Sequence, residues 1–168
     1  SDIIPDLIYA DFDESLEITI GRLLKEKKKN LSTAESCTGG KIASLITSVP
    51  GSSEYYKGSV IAYGNTVKTD LLKVPGDLII KYGAVSEQVV INMAEGARRL
   101  MQTDFSVATS GIAGPDGGTE DKPAGTVWIA VSSPGGTVTE KHQFVQDRIT
   151  NIIRFAYAAL NLLRKQIT

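Results

Sequence analysis

The chain has 168 residues, with 18 basic and 19 acidic side chains, a length that forms one domain and buries about two-thirds of the unfolded surface. Because the net charge is −1 and the basic residues are scattered apart from Lys25–Lys29, direct binding of nucleic acid is not expected. The single cysteine excludes a disulfide framework within the chain, and the lack of a secretory or membrane-spanning stretch favours a cytoplasmic protein with no membrane partner.

The N-terminal part of the sequence divides into a lead-in segment and a first helix. Residues 1–12 contain Pro5 and show no clear period, so we interpret them as a linker that precedes a single domain at 13–168. From Asp13 onward apolar residues recur at helical spacing, and Asp13 or Ser15 is available as the N-cap. The domain is therefore predicted to begin with a helix.

The remaining elements alternate between strand and helix patterns. Glycines at the junction of the first strand and the helix that follows it are typical of an α/β unit. The predicted strands are 31–36, 58–64, 104–111, 126–134 and 137–145, the last two forming a hairpin, and the predicted helices are 39–49, 65–72, 86–102 and 147–167. This order indicates an α/β fold: a three-layer α/β/α sandwich with a mixed, mostly parallel sheet.

Two glycine-containing loops follow predicted parallel strands. The sequence "ESCTGG" follows the first strand, and "TSGIAGPDGGT" follows the third. In open α/β sheets ligands bind beyond the carboxyl ends of the strands, where glycines permit tight turns and close approach of a substrate. Neither loop matches a dinucleotide-binding or P-loop motif. Two such loops in one small domain favour a functional site over turn geometry alone.

Ser36 and Cys37 are both candidate nucleophiles. Adjacent side chains at a strand end point to opposite sides of the backbone, so only one of them is expected to face the crevice. The single histidine, His142, lies in a predicted ordinary strand, so a serine would need a lysine of lowered pKa as its base, alone or with a tyrosine. Tyr63 and Lys68 supply both residue types, although spacing alone does not bring Lys68 to Ser36.

Several motifs, in order, are similar to those of one known family: "AESCTGG", "PGSSEYYKGSVIAYGN" with Lys68, "GAVSE", "SGIAGPDGGTEDKPAGTVW" and "DR" before the last helix. From about Glu14 to its end the chain resembles the CinA C-terminal domain family, also described as PncC-type nicotinamide-mononucleotide deamidases. The resemblance implies an amidohydrolase of pyridine-nucleotide recycling, which converts nicotinamide mononucleotide and water to nicotinic acid mononucleotide and ammonia. It also implies a Ser/Lys pair that works without a metal or cofactor.

The resemblance assigns roles to individual residues. Ser36 is implied to be the nucleophile and Lys68 its base, while Tyr63 orients the lysine or relays a proton. The backbone N–H groups expected to hold the oxyanion are those of Cys37, Thr38, Gly39 and Gly40. The expected substrate-binding residues are Ser110 near the reacting amide, Arg148 at the phosphate, and Gly111, Gly114, Asp116, Gly117, Gly118 and Thr119 in the glycine-rich loop.

Two other functions stay open at the level of sequence. A noncatalytic nucleotide-binding or interaction module of a competence- or damage-inducible protein would use the same glycine loops, but it would not need Ser36 and Lys68 together. A cysteine hydrolase would use Cys37, although a lone cysteine without a partner histidine is more often a buried small residue.

Assembly is the last expectation drawn from the sequence. The opening segment resembles the joint that follows an N-terminal domain in full-length CinA proteins, so the chain is expected to be part of a longer two-domain protein. A homodimer or higher homo-oligomer is also expected, because dimers are common in the family and an apolar face on the last helix would permit one. The residues of that face are Ile149, Ile152, Ile153, Ala156 and Leu160.

Overall fold

A computed structural model describes residues 14–168, so the predicted linker and Asp13 lie outside the described residues. The helices are α1 Leu16–Lys27, α2 Lys41–Thr47, α3 Asn65–Asp70, α4 Gly76–Tyr82, α5 Glu87–Met101 and α6 Arg148–Ile167, with a short 3₁₀ turn at Ser52–Glu54. The strands are β1 Leu31–Glu35, β2 Tyr56–Ile61, β3 Phe105–Gly111, β4 Thr126–Ser133 and β5 Gly136–Gln143.

The five strands form one mixed sheet in the order β2-β1-β3-β4-β5. Strand β1 lies between β2 and β3 and is parallel to both, whereas β4 is antiparallel to its neighbours β3 and β5. Four strands therefore run in one direction and β4 runs in the other, although two of the four pairings are antiparallel. The predicted hairpin is confirmed, with Ser133 opposite Gly136 across its turn.

Helices cover both faces of the sheet, which confirms the three-layer α/β/α sandwich. Alternation along β3 shows the division, because Val107 packs into one apolar cluster and its neighbour Ala108 into the other. The Val107 side is covered by α1, α2 and α6, and the Ala108 side mainly by α5 with the segments around α3 and α4. Burial of both faces explains why all five residues of β1 are inaccessible to solvent.

Two predictions about helices need correction. Helix α4 was not predicted, because "VPGD" was interpreted as a turn and the residues between it and Ser86 were assigned no element; its seven residues include none that is fully buried, so it has no strong apolar stripe. The predicted apolar face of the last helix is also partly wrong. Ile149 and Ile153 are exposed, and the buried face instead centres on Phe155, where it packs inside the domain. Most of the face expected to mediate dimerisation is therefore used internally, and a homo-oligomer stays a prediction.

No helix in the described part of the chain is both long and apolar enough to cross a bilayer.

Candidate active site

A cavity of about 280 Å³ opens where the parallel strands β1, β2 and β3 end. Their last residues lie side by side, since Glu35 of β1 is opposite Ile61 of β2 and Thr109 of β3. The loops that leave these strands meet above this edge, as expected for an open α/β sheet. The predicted site residues that line the cavity are Ser36, Cys37, Tyr63, Lys68, Ser110, Gly111, Asp116, Gly117 and Arg148.

Lys68 and Ser36 are in contact within this cavity. The Lys68 Nζ lies 3.1 Å from Ser36 Oγ, although the two residues are 32 positions apart in the chain. Lys68 is only 1% exposed, and among the described residues it forms no ion pair. Burial without a carboxylate partner lowers the pKa of the Lys68 ammonium, because desolvation penalises the charged form.

Two backbone carbonyls complete the surroundings of the lysine amine. The Nζ donates to Ala62 O at 2.8 Å and to Tyr63 O at 3.3 Å. A neutral amine has two N–H donors and one lone pair. If the two carbonyls take the two donors, the lone pair is left for the third neighbour, the hydroxyl of Ser36. In the ammonium form the third N–H of Nζ is directed at Ser36 Oγ instead, so the same three neighbours suit both protonation states of the lysine.

Cys37 has the properties of a buried apolar side chain rather than of a nucleophile. It is 7% exposed and packs in the apolar cluster that includes Ile42 and Phe155. Burial raises the pKa of the Cys37 thiol to about 12, and its contact with Thr109 and the nearby Lys68 offset this only in part. The thiolate needed for attack is therefore a minor species at neutral pH.

Tyr63 and Arg148 interact with each other at the mouth of the cavity. The Tyr63 side chain is 62% exposed, and its hydroxyl accepts a hydrogen bond from Arg148 Nη2 at 3.2 Å. Lys68 is contacted by the backbone carbonyl of Tyr63, not by its phenol. Arg148 also donates to Gly114 O at 2.9 Å. Arg148 is not paired with the adjacent Asp147, which instead caps α6 by accepting from Thr150 N and Oγ1.

The turn between β1 and α2 has unpaired backbone donors. Gly39 and Gly40 adopt φ values of +57° and +104°, a left-handed conformation that glycine adopts without strain. The N–H of Gly39 donates to Ser36 O, whereas no acceptor among residues 14–168 is hydrogen-bonded to the N–H of Cys37, Thr38 or Gly40. Three of the four predicted oxyanion donors are thus uncommitted within the described structure.

The β3 side of the cavity is formed by Ser110 and Gly111. Ser110 is 1% exposed, and its hydroxyl donates to Ala84 O at 2.7 Å, which ties β3 to the corner between α4 and α5. A Cβ added at Gly111 would lie 2.6 Å from Thr126 O, so a side chain there would collide with the backbone of β4. Glycine is therefore the residue that allows β3 to lie this close to β4 at the floor of the cavity.

The glycine-rich loop contributes fewer lining residues than the sequence predicted. Asp116 and Gly117 reach the cavity, and Gly114 touches it through Arg148. Thr119 does not line it; its N–H and hydroxyl instead bond to Lys122 and close a local turn. Gly118 packs where a Cβ would meet Ala124 N at 2.5 Å, so close approach of the chain to itself accounts for this glycine.

Sequence reasoning missed Glu35 and Asn65. Asn65 lines the mouth of the cavity from the start of α3. Glu35 is fully buried below the turn that contains Ser36, and its carboxylate accepts hydrogen bonds from Ile42 N and Ala43 N at the start of α2. Because the carboxylate occupies these donors, it largely neutralises the positive end of the α2 dipole. Nothing in the sequence indicated this burial, because a glutamate at the end of a strand is usually exposed.

Among residues 14–168 no group of three or more histidine, cysteine, aspartate or glutamate side chains could hold a metal ion.

The fold and this site together define an α/β/α domain with a buried Ser–Lys pair at the carboxyl ends of its parallel strands. Residues 13–167 match the model of the CinA C-terminal domain. The chain therefore belongs to the CinA C-terminal domain family.

Relatives and solved structures agree with this assignment. The chain is 51% identical over 160 residues to a CinA-like protein of Cytophaga hutchinsonii, covering 95% of this chain and 38% of that protein. It is 48% identical to a CinA-like protein of Thermotoga neapolitana, covering 96% of this chain and 40% of the relative. The chain thus spans about two-fifths of the length of the curated relatives it matches.

Among solved structures, competence damage-inducible protein A of Klebsiella pneumoniae superimposes with a TM-score of 0.87 at 34% identity, covering 90% of this chain and 94% of that one. A CinA superfamily protein of Enterobacter cloacae gives a TM-score of 0.89 at 30% identity, covering 96% of this chain and 97% of that one.

Proposed function

We propose that this domain is an amidohydrolase that converts nicotinamide mononucleotide and water to nicotinic acid mononucleotide and ammonia through a Ser36 acyl-enzyme. The observation that carries the proposal is the 3.1 Å contact between the buried Lys68 amine and Ser36 Oγ. Burial of a lysine without a counter-ion is costly, and a noncatalytic module would gain nothing from placing it against a serine hydroxyl. The resemblance to PncC-type deamidases supports the choice of substrate.

The first half-reaction forms the acyl-enzyme. Neutral Lys68 accepts the Ser36 proton while Oγ bonds to the carboxamide carbon, which the attached pyridinium makes more electrophilic. The carbonyl oxygen takes the displaced electron pair, and the unpaired N–H groups of the Cys37–Gly40 turn hold it; one such donor is typically worth about 3 kcal/mol. The Lys68 ammonium then gives its proton to the nitrogen, the C–N bond breaks and ammonia leaves.

The second half-reaction regenerates the enzyme. A water molecule attacks the acyl carbon and passes a proton to Lys68. The same backbone N–H groups hold the oxyanion that forms in this step. The bond between Ser36 Oγ and the acyl carbon breaks, and the lysine returns the proton to the serine. The products are nicotinic acid mononucleotide and a free Ser36 hydroxyl, so one water is consumed for each ammonia released.

Arg148 is the proposed phosphate contact. Two of its five N–H donors are used by Gly114 O and the Tyr63 hydroxyl, which leaves three for an anion at the exposed mouth of the cavity. The Tyr63 phenol holds the guanidinium in place, so we assign it to phosphate positioning rather than to the lysine. The backbone of Asp116 and Gly117 is proposed to line the same end of the substrate.

Ammonia release from nicotinamide mononucleotide tests the proposal. We expect turnover by the unaltered chain and by Cys37→Ala, and loss of at least about 10³-fold in kcat for Ser36→Ala and Lys68→Met, because each removes one member of a pair that acts as a unit. Lys57→Met is the matched control, since Lys57 is exposed on β2, away from the cavity.

Each other outcome has a definite interpretation. An inactive Cys37→Ala beside an active Ser36→Ala would make the cysteine the nucleophile. An unaltered chain that binds the nucleotide but releases no ammonia would favour the noncatalytic nucleotide-binding module.

A further inference from the structure

The carboxylate of Glu35 is buried beneath the nucleophile turn without a cationic partner. Glu35 is 0% exposed, and it forms no ion pair with any residue that the structure describes. Isolated buried charges are strongly unfavourable unless hydrogen bonds satisfy them. The mechanism proposed above does not use this group, so its position needs another explanation.

Four hydrogen bonds reach the carboxylate: a long one from Ser59 Oγ of β2 at 3.5 Å, and three short ones from the turn and helix that follow Glu35. Oε1 accepts from Thr38 Oγ1 at 2.7 Å and from Ile42 N at 2.9 Å, and Oε2 accepts from Ala43 N at 2.9 Å. Glu35 is the last residue of β1 and directly precedes Ser36. Its carboxylate therefore clamps together both ends of the segment that contains the nucleophile.

The clamp extends to β3 through two threonines. Thr38 gives its only hydroxyl proton to Glu35, so the 2.9 Å contact between Thr38 Oγ1 and Thr109 Oγ1 must be donated by Thr109. The Ser36 N–H also donates to Thr109 O at 3.1 Å. Together these bonds fix the 36–40 turn relative to two central strands of the sheet.

The bonds to Glu35 also determine which backbone donors stay available. The carboxylate takes the N–H groups of Ile42 and Ala43, while those of Cys37, Thr38 and Gly40 have no acceptor among the described residues. By accepting from the N–H groups at the start of α2, the carboxylate would leave the N–H groups of the preceding turn available to the cavity. Without it, the turn could rotate and lose the alignment of its donors with the serine oxygen.

We propose that Glu35 is a positioning residue, which holds the Ser36–Gly40 turn so that its free N–H groups face the oxyanion. This inference rests on the proposed amidohydrolase function for its kinetic consequence, but not for its structural one. Glu35 itself touches no reacting atom.

Glu35→Gln in the full chain is the direct test, because the amide is nearly isosteric but replaces one acceptor oxygen with a donor. We expect kcat for ammonia release to fall roughly 10- to 100-fold while KM changes less than about threefold, since misaligned oxyanion donors weaken transition-state binding selectively. Ser32→Ala is the matched control. Ser32 lies on the same strand, bonds to Thr103 at 2.8 Å away from the cavity, and should keep its kcat.

Thr38→Val provides a second variant if Glu35→Gln does not fold, because it removes the hydroxyl link in the clamp with little change of shape. It should show the same loss of kcat at nearly constant KM. A kcat within about twofold of the unaltered chain for a folded Glu35→Gln, or an equal loss in Ser32→Ala, would overturn the proposal.

Amide NMR separates this inference from the proposed function. In Glu35→Gln we expect faster hydrogen exchange at Ile42 and Ala43, with shift changes at Cys37 and Thr38, whether or not the unaltered chain hydrolyses nicotinamide mononucleotide. If the unaltered chain is inactive, the proposed function fails while these spectra still decide the role of Glu35. Unchanged amide signals across 36–43 would refute it.

Discussion

At the scale of a single residue, Lys68 is the group on which the proposed mechanism depends. Its ammonium would be stable in water, but in the fold it is 1% exposed and has two carbonyls and a serine hydroxyl as neighbours. Desolvation lowers its pKa, which increases the fraction of neutral amine available as a base. The burial that favours the neutral amine is therefore also unfavourable for folding whenever the lysine is protonated.

The pH dependence of turnover follows from this lysine. We expect kcat/KM for ammonia release to rise with pH as Lys68 loses its proton and then to level off. Because its pKa is lowered, the rise should be centred below the value of about 10.4 for an ordinary lysine. A rise centred at that ordinary value, or a rate that falls as the lysine deprotonates, would contradict Lys68 as the base.

The same lysine should also affect stability. The folded chain binds fewer protons than the unfolded chain between the lowered pKa of Lys68 and about 10.4, so this residue makes the free energy of unfolding rise with pH across that window. Below the lowered pKa its cost is present in full. Lys68→Met removes the titrating group, so the difference in unfolding free energy between the original chain and this variant should shift in favour of the original as pH increases.

Urea unfolding at several pH values measures this difference, with Lys57→Met as the control at an exposed position. A pH-independent difference between the original chain and Lys68→Met would show that Lys68 is not perturbed in the fold.

The placement of site residues was predictable only where residue type and motif agreed. Ser36 and Lys68 were identified through the resemblance, since nothing in their spacing brings them to 3.1 Å. Tyr63 was expected at the lysine, but side-chain direction depends on backbone angles that sequence does not give, and its phenol turns to Arg148 instead. Glu35 was missed because the burial of a carboxylate depends on donors supplied by the next element.

At the scale of elements, helix α5 holds the segment that carries Lys68. Gly96 of α5 lies against the chain just after α3, where an added Cβ would be 2.1 Å from Leu72 O and 2.9 Å from Leu72 C. Both atoms are backbone, so the collision cannot be relieved by a rotamer change. Close contact between α5 and this loop therefore requires a glycine at position 96.

Gly96→Ala should lower the free energy of unfolding by about 3 kcal/mol, because the helix must move away from the loop. It should also lower kcat for ammonia release, since Leu72 lies two residues after the helix that bears Lys68. Gly76→Ala in α4 is the control, because its Cβ would have no neighbour within 4 Å and the substitution should cost less than about 0.5 kcal/mol. Equal losses in the two variants by urea unfolding would contradict this account.

The elements were easier to predict than the contacts between them. Helix α5 was identified because its apolar residues repeat with a helical period and Ser86 precedes it, whereas β1 and β3 were identified together with the glycine-containing loops that follow them. Helix α4 has seven residues, and its apolar side chains range from the partly buried Leu78 and Ile79 to the exposed Ile80, so no periodic stripe marked it. The collision that requires Gly96 could not be predicted, since it joins residues 24 positions apart.

At the scale of the whole molecule, burial and strand pairing are most complete at the centre of the sheet. Strands β1 and β3 are paired on both sides and covered on both faces, whereas β2 and β5 are edge strands with mostly partial burial. Stability in such a structure is unevenly distributed, because an edge strand can open while the central strands stay paired and packed.

Hydrogen exchange should reveal this gradient. We expect amides of β1 and β3 to exchange only through global unfolding, and those on the outer edge of β2 to exchange through local opening with a smaller free energy. Exchange followed by NMR across a urea series distinguishes the two, because local opening is nearly insensitive to urea. Equal protection and equal urea dependence in β1 and β2 would contradict the expectation.

Ser36 and Lys68 belong to opposite ends of this gradient. The serine follows the central strand β1, while the lysine is carried by a six-residue helix that follows the edge strand β2. Heating that loosens the edge would separate the two side chains while the centre of the sheet is still intact. We therefore expect ammonia release, the proposed activity, to be lost at a lower temperature than the overall fold and to return on cooling.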